Sequence, residues 1–215
     1  MSAKKQTIAD LLFVVQIIGA VLFCGAQFLR SLVDVRGVSI VQFGLVATYL
    51  IFHLALGIGA HRARPSRLTR QAIATYCTWF LLMIAIIGAV LANGSYRWSV
   101  QDTTTLLIAL VLTLLIIVVG HWYNFTIANP VTKALLAITY KSVPQVLLAW
   151  KILAEGGSGI PALTVLVGHL TILIRLGQIY MMVREAGWDP NRKWLGISET
   201  ANGITWVIAT IAWLL

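Results

Sequence analysis

Lys141 and Arg175 each stand inside an apolar run long enough to cross a bilayer. A charge held there costs at least about 2.5 kcal/mol on insertion scales, so it must be paired, hydrated in a cavity or used to hold a solute. Glu199, in the last apolar run, is the charge partner or proton site within reach of this chemistry, and Arg175 is expected to pair with it or with a substrate carboxylate. Polar and aromatic side chains recur around these three at helical spacing. The sets are Gln16, Ala20, Cys24 and Gln27; Gln42, Val46, Tyr49 and His53; Thr75 and Trp79; Lys141 and Gln145; Thr171, Arg175 and Gln178; and Glu199, Asn202 and Trp206. Steps of three and four put each set on one helical face. In hydrocarbon such a face must turn toward protein or a wet cavity.

The chemistry these residues offer is binding rather than bond-breaking. Asn202, Gln145 and Thr75 supply hydrogen bonds, Lys141 and Arg175 positive potential, Trp206 and Tyr49 flat apolar walls, and His53 a further polar group. Two cations against Glu199 favour a carboxylate or an amino acid over a sugar. The competing role for Gln16, Gln27, Thr75 and Thr171 is interhelical hydrogen bonding, and for His53 a satisfied interior position. His121 and His169 join no stripe. There is no HExxH, no carboxylate pair at metal spacing, no nucleophile elbow and no P-loop, so neither an enzyme nor a metal or other cofactor is expected.

The elements that must position these residues are transmembrane helices. The chain has 215 residues, 59% hydrophobic and only 11% charged, more apolar surface than a water-soluble domain of this length could bury. Seven spans are predicted, at about 7–29, 38–60, 72–92, 104–123, 133–154, 162–183 and 197–215. The fold class is all-α and polytopic. The net charge of +9 comes from basic residues in short loops, which argues for topology and headgroup anchoring and against nucleic acid. Trp98, Trp122, Trp188 and Trp194 lie near span ends as interfacial anchors, and Cys24 and Cys77 fall inside apolar runs as small hydrophobes.

The spans repeat. Gly25-Ala26-Gln27-Phe28-Leu29 is followed by a turn with Gly37 and Ser39, and Val143-Pro144-Gln145-Val146-Leu147 by a turn with Gly156 and Ser158. The offset is 118 at Gln27 and Gln145, 119 at the turn residues, 120 at Leu56 and Leu176, and 127 at Trp79 and Trp206, as small insertions in the second copy would produce. An odd linker span between two triplets gives them the same orientation, a parallel repeat of the 3+1+3 kind, with repeats at 1–93 and 129–215 and the linker span at 94–128. The run at 104–123 holds nothing charged before His121 and is expected to face lipid or act as scaffold. Lys4, Lys5, Arg62, Arg64, Arg67, Arg70, Lys133, Arg184, Arg192 and Lys193 fall on the amino-terminal side, against Arg30, Arg36, Arg97 and Lys151 on the other. The positive-inside rule then makes the amino terminus cytoplasmic, in the inner membrane of a bacterium or otherwise an organellar membrane.

With Pro144-Gln145 and its counterpart Ala26-Gln27, the turn Arg36-Gly37-Val38-Ser39 and the phrase Lys141-Ser142-Val143-Pro144-Gln145, the chain resembles the PQ-loop superfamily. That group includes SWEET-type sugar transporters, cystinosin-like amino-acid exporters and KDEL receptors. The resemblance spans nearly the whole chain and implies alternating access by rocking of two triplets, with Pro144, Gln145 and Gln27 at the hinges. It also implies a site lined by an asparagine matched by Asn202, whose counterpart in the first copy is Thr75. Ala26 stands where the first copy would carry proline, so the first helix is expected to stay straight. The expected function is transport of a small polar metabolite (carboxylate, amino acid or sugar). A ligand-binding or sorting receptor and an accessory membrane subunit are the alternatives on the same scaffold. The expected partners are a small solute and the bilayer, with homo-oligomerisation left open.

Overall fold

Polar caps mark where the helices begin. The computed structural model describes the backbone from Ala3 to Leu215, with the side chains of Thr7 and of residues 10–215, so the side chains of Lys4 and Lys5 lie outside the described set. α1 covers Ala3–Ser31 and α2 covers Ile40–Ala63, the latter capped by Ser39, whose hydroxyl accepts from the Gln42 amide. α3, Arg67–Asn93, and α4, Val100–Trp122, open on capping boxes built by Ser66 with Thr69 and by Ser99 with Asp102. Asn129 and Asp189 cap the fifth and seventh helices, each with proline in the first turn. The fifth helix, α5, runs through three contiguous pieces: Pro130–Ala137, a π-turn over Ile138–Ser142, and Val143–Glu155. α6 is Ala162–Ala186 and α7 is Pro190–Leu214. The described residues are thus all-helical in their regular structure.

The π-turn has a cause in the sequence. Pro144 has no N–H to give the Tyr140 carbonyl, and its ring crowds that same carbonyl. The helix adjusts by inserting a residue, so that the Val143 N–H donates to the Ile138 carbonyl, five residues back. α1, with Ala26 at the matching position, is an unbroken α-helix.

Five helices (α1 from Asp10, α2, α3, α4 and α6) are long and apolar enough to cross a membrane. α5 is interrupted by the π-turn and carries Lys133, Lys141 and Lys151, while α7 carries Arg192, Lys193 and Glu199. α3 lies between α1 and α2, and α7 between α5 and α6. The two groups meet where α1 packs on α6 and α2 on α5, while α4 leans on α2 and α5 from outside. The outer face of α4 exposes Leu107, Leu110, Val111, Leu114, Leu115 and Ile117, as a helix bathed in lipid would.

The buried end of α4 corrects two expectations. The helix begins before 104, and its first turn holds Asp102, fully buried. Lys151, counted in the sequence among the basic residues on the side opposite the amino terminus, is 1% exposed and pairs with Asp102 at 2.5 Å. Asp102 also accepts from Ser39 Oγ at 2.6 Å, Tyr96 OH at 2.8 Å and the Ser99 backbone and hydroxyl. Lys151 donates as well to Ser99 Oγ and lies 5.2 Å from the Tyr96 ring centre. One ion pair therefore ties α2, α4, α5 and the turn before α4 together. Its desolvation is offset by hydrogen bonds to nearly every polar atom it holds.

The turns after α1 and α5 meet at the same end of the bundle. Gly37 and Gly156 both have positive φ, +72° and +83°, and a Cβ on Gly37 would collide with the Gly156 carbonyl. Gly37→Ala should therefore lower the apparent melting temperature more than Gly94→Ala. Gly94 has the same φ of +72° but open space around it. The shared left-handed strain is about 1–2 kcal/mol, and thermal unfolding of the two purified variants reads the excess. Equal shifts would mean that the turns do not press together.

Candidate functional site

Residues from every polar stripe line one cavity of about 580 Å³. Gln16 and Phe23 reach it from α1, Gln42, Val46 and Tyr49 from α2, and Thr75, Tyr76 and Trp79 from α3. Lys141 and Gln145 reach it from α5, Gly168, Thr171, Arg175 and Gln178 from α6, and Glu199, Asn202 and Trp206 from α7. Among the described residues α4 contributes none. The lining continues to Leu12, Leu68, Gln71 and Glu185, near the helix ends on the amino-terminal side, so the cavity opens toward that end.

At the other end it is closed by a latch between the two turns. Gln27, 1% exposed, donates from Nε2 to the Gly159 carbonyl at 2.9 Å, and the Gly159 N–H donates to the Arg36 carbonyl at 3.0 Å. Arg30 Nε donates to the Ser158 carbonyl at 2.7 Å, and Ser158 Oγ donates to Asp34 at 2.7 Å. Arg36 hydrogen-bonds Asp34 through its backbone and its guanidinium, which holds that carboxyl well below the usual carboxylate range. Gln27 thus makes a hydrogen bond from one helix group to the turn of the other, which is the interhelical role weighed for it in the sequence.

Of the residues expected to bind solute, Asn202, Arg175, Lys141, Gln145, Trp206, Tyr49 and Thr75 all line the cavity. His53 does not. Its ring packs edge-on against Tyr49 at 4.2 Å and lies tilted 5.3 Å from the Tyr76 ring, behind the wall those tyrosines form. Glu199 is paired, but with Lys141 at 2.9 Å rather than with Arg175. The α5 π-turn shifts Lys141 relative to an unbroken α-helix, and the lysine ends between Glu199 and the Tyr49 ring, 5.4 Å from the ring centre. Arg175 donates to Gln178 Oε1 at 3.1 Å, and among the described residues no carboxylate lies within ion-pair distance of it.

Deeper in, the polar groups are neutral. Gln145 donates to Asn202 Oδ1 at 3.0 Å and accepts from Thr205 Oγ1 at 2.6 Å. Thr75 keeps its hydroxyl on the Gln71 carbonyl of its own helix. Phe23 sits between the two repeat-matched tryptophans, 5.6 Å from Trp79 and 5.9 Å from Trp206. Trp206 lies against Gly168, where any Cβ would come within 2.7 Å of its ring, and donates Nε1 to the Val165 carbonyl at 3.2 Å. Sequence reasoning missed Phe23, Gly168 and Glu185. Phe23 keeps the spacing of the α1 stripe and could have been found, whereas Gly168 has no signal without Trp206 opposite it. Among the described residues no group of His, Cys, Asp or Glu could hold a metal ion.

No family model, no curated protein and no solved structure matches the chain.

Proposed function

We propose that the protein is a seven-span carrier of a small polar metabolite, working by alternating access between two three-helix bundles. On this reading the PQ-loop resemblance is one of ancestry and mechanism. The repeats are residues 1–93 and 129–215, joined by a linker span within 94–128, and the amino terminus and the open cavity face the cytoplasm. The observation that carries the proposal is the cavity on which the polar faces meet. Among the described residues six helices line it and the linker helix does not, and contacts between the two bundles close it at the end of the two turns. A site at a repeat interface, opening to one side at a time, is what a rocking carrier requires.

The helix order supports the repeat. Exchanging α1, α2 and α3 for α5, α6 and α7 turns the sequence of neighbours α1–α3–α2 into α5–α7–α6, and turns the α1·α6 contact into α5·α2. Gly37 and Gly156, equivalent in the two copies, meet across the latch. The hinges are unequal, since only α5 carries a proline and its π-turn.

The test is two-sided labelling. Thr171→Cys, in a Cys24→Ala/Cys77→Ala background, should react with a membrane-impermeant thiol reagent from either side of the membrane. Reaction from one side alone would reject alternating access.

A further inference from the structure

The charged and the aromatic parts of the cavity lie at different depths, and this layering names a class of solute. Lys141 is neutralised by Glu199, and Glu185 lies ten residues beyond Arg175 on α6, roughly 15 Å nearer the mouth. The middle of the chamber therefore carries one net positive charge over Lys141, Glu199 and Arg175, and Arg175 is hydrogen-bonded to the neutral Gln178 amide. Below it lies the aromatic layer of Trp79, Phe23 and Trp206, with the hydrogen-bonded Gln145–Asn202 amide pair among the neutral polar groups of the cavity wall.

The separation can be read along α6. Gly168, which seats the Trp206 ring, and Arg175 are seven residues apart, roughly 10 Å along the axis. The guanidinium is hydrogen-bonded to Gln178, three residues toward the mouth, so it stands above the aromatic layer. A guanidinium presents a planar fork that matches a carboxylate, and offset or edge-on rings accept a planar apolar body. A volume of about 580 Å³ leaves room for both parts in one molecule.

Resting on the reading of this cavity as the solute site, we infer that its ligand is a monocarboxylate with a planar apolar body a few bonds from the carboxylate. Arg175 binds the head, and Trp79, Phe23 and Trp206 enclose the body. Neither a bare short-chain acid nor an uncharged ring fills both layers.

The probes are 3-phenylpropionate, its uncharged amide and acetate, titrated calorimetrically into the purified full-length chain. The acid should bind at least tenfold more tightly than either comparison compound. Arg175→Gln should weaken the acid at least tenfold and leave the amide unchanged, with Arg175→Lys intermediate. Trp79→Ala should weaken acid and amide alike. Equal binding of acid and amide, indifference to Arg175→Gln in a folded variant, or no binding of the acid overturns the inference. A chain that ignores 3-phenylpropionate yet binds glycine or glucose loses this solute class and keeps the carrier proposal. One-sided labelling at Thr171→Cys does the reverse.

Discussion

Lys151→Met is expected to destabilise the bundle by about 3–5 kcal/mol, because it strands a buried carboxylate. Asp102 is fully buried, and without the ammonium only hydroxyls and one backbone amide face it. The loss should appear as a large fall in apparent melting temperature in detergent. Asp102→Asn combined with Lys151→Met removes both charges and should recover much of the loss, since an unpaired charge costs more than a missing pair. A single variant as stable as the parent would mean that water reaches this pair, contrary to its burial.

The second pair behaves differently because it faces the cavity. Lys141 and Glu199 are 18% and 7% exposed, and Glu199 has the Asn202 amide at 3.4 Å as its other partner. Lys141→Met leaves the more buried member unpaired, at a cost of about 1–3 kcal/mol. Glu199→Gln leaves an ammonium beside open cavity space and the Tyr49 ring, and should cost less. Solute binding separates the two variants further. Glu199→Gln adds positive charge to the chamber and should tighten 3-phenylpropionate, whereas Lys141→Met should weaken it. Unfolding and calorimetry on the two proteins check this, and matched effects on both readouts would remove Lys141 and Glu199 from the electrostatics of the cavity.

The stripes were legible because a helix in lipid cannot hide a polar face except against protein or water, so spacings of three and four pointed to the cavity. His53 kept the spacing of Gln42, Val46 and Tyr49, but Tyr49 and Tyr76 fill the space in front of its ring. Partners distant in sequence were not legible. Asp102 and Lys151 are 49 residues apart and sit at the ends of their helices, where a charge ordinarily means solvent. The pairing of Glu199 with Lys141 depends on the π-turn, a local change of register that one proline allows but does not specify. The Gly37–Gly156 contact was visible only as a repeat in sequence, since nothing local says that two equivalent turns touch.

Alternating access is tested most directly by holding the latch shut. Asp34 and Ser158 meet side chain to side chain at 2.7 Å, so Asp34→Cys/Ser158→Cys can be cross-linked by oxidation or by a short bifunctional thiol reagent. With Thr171→Cys as reporter and both native cysteines replaced by alanine, cross-linking should abolish labelling from the latch side and leave labelling from the open side intact. Reduction, where a disulfide was formed, should restore it. Latch-side labelling that persists in the fully cross-linked protein would contradict the account.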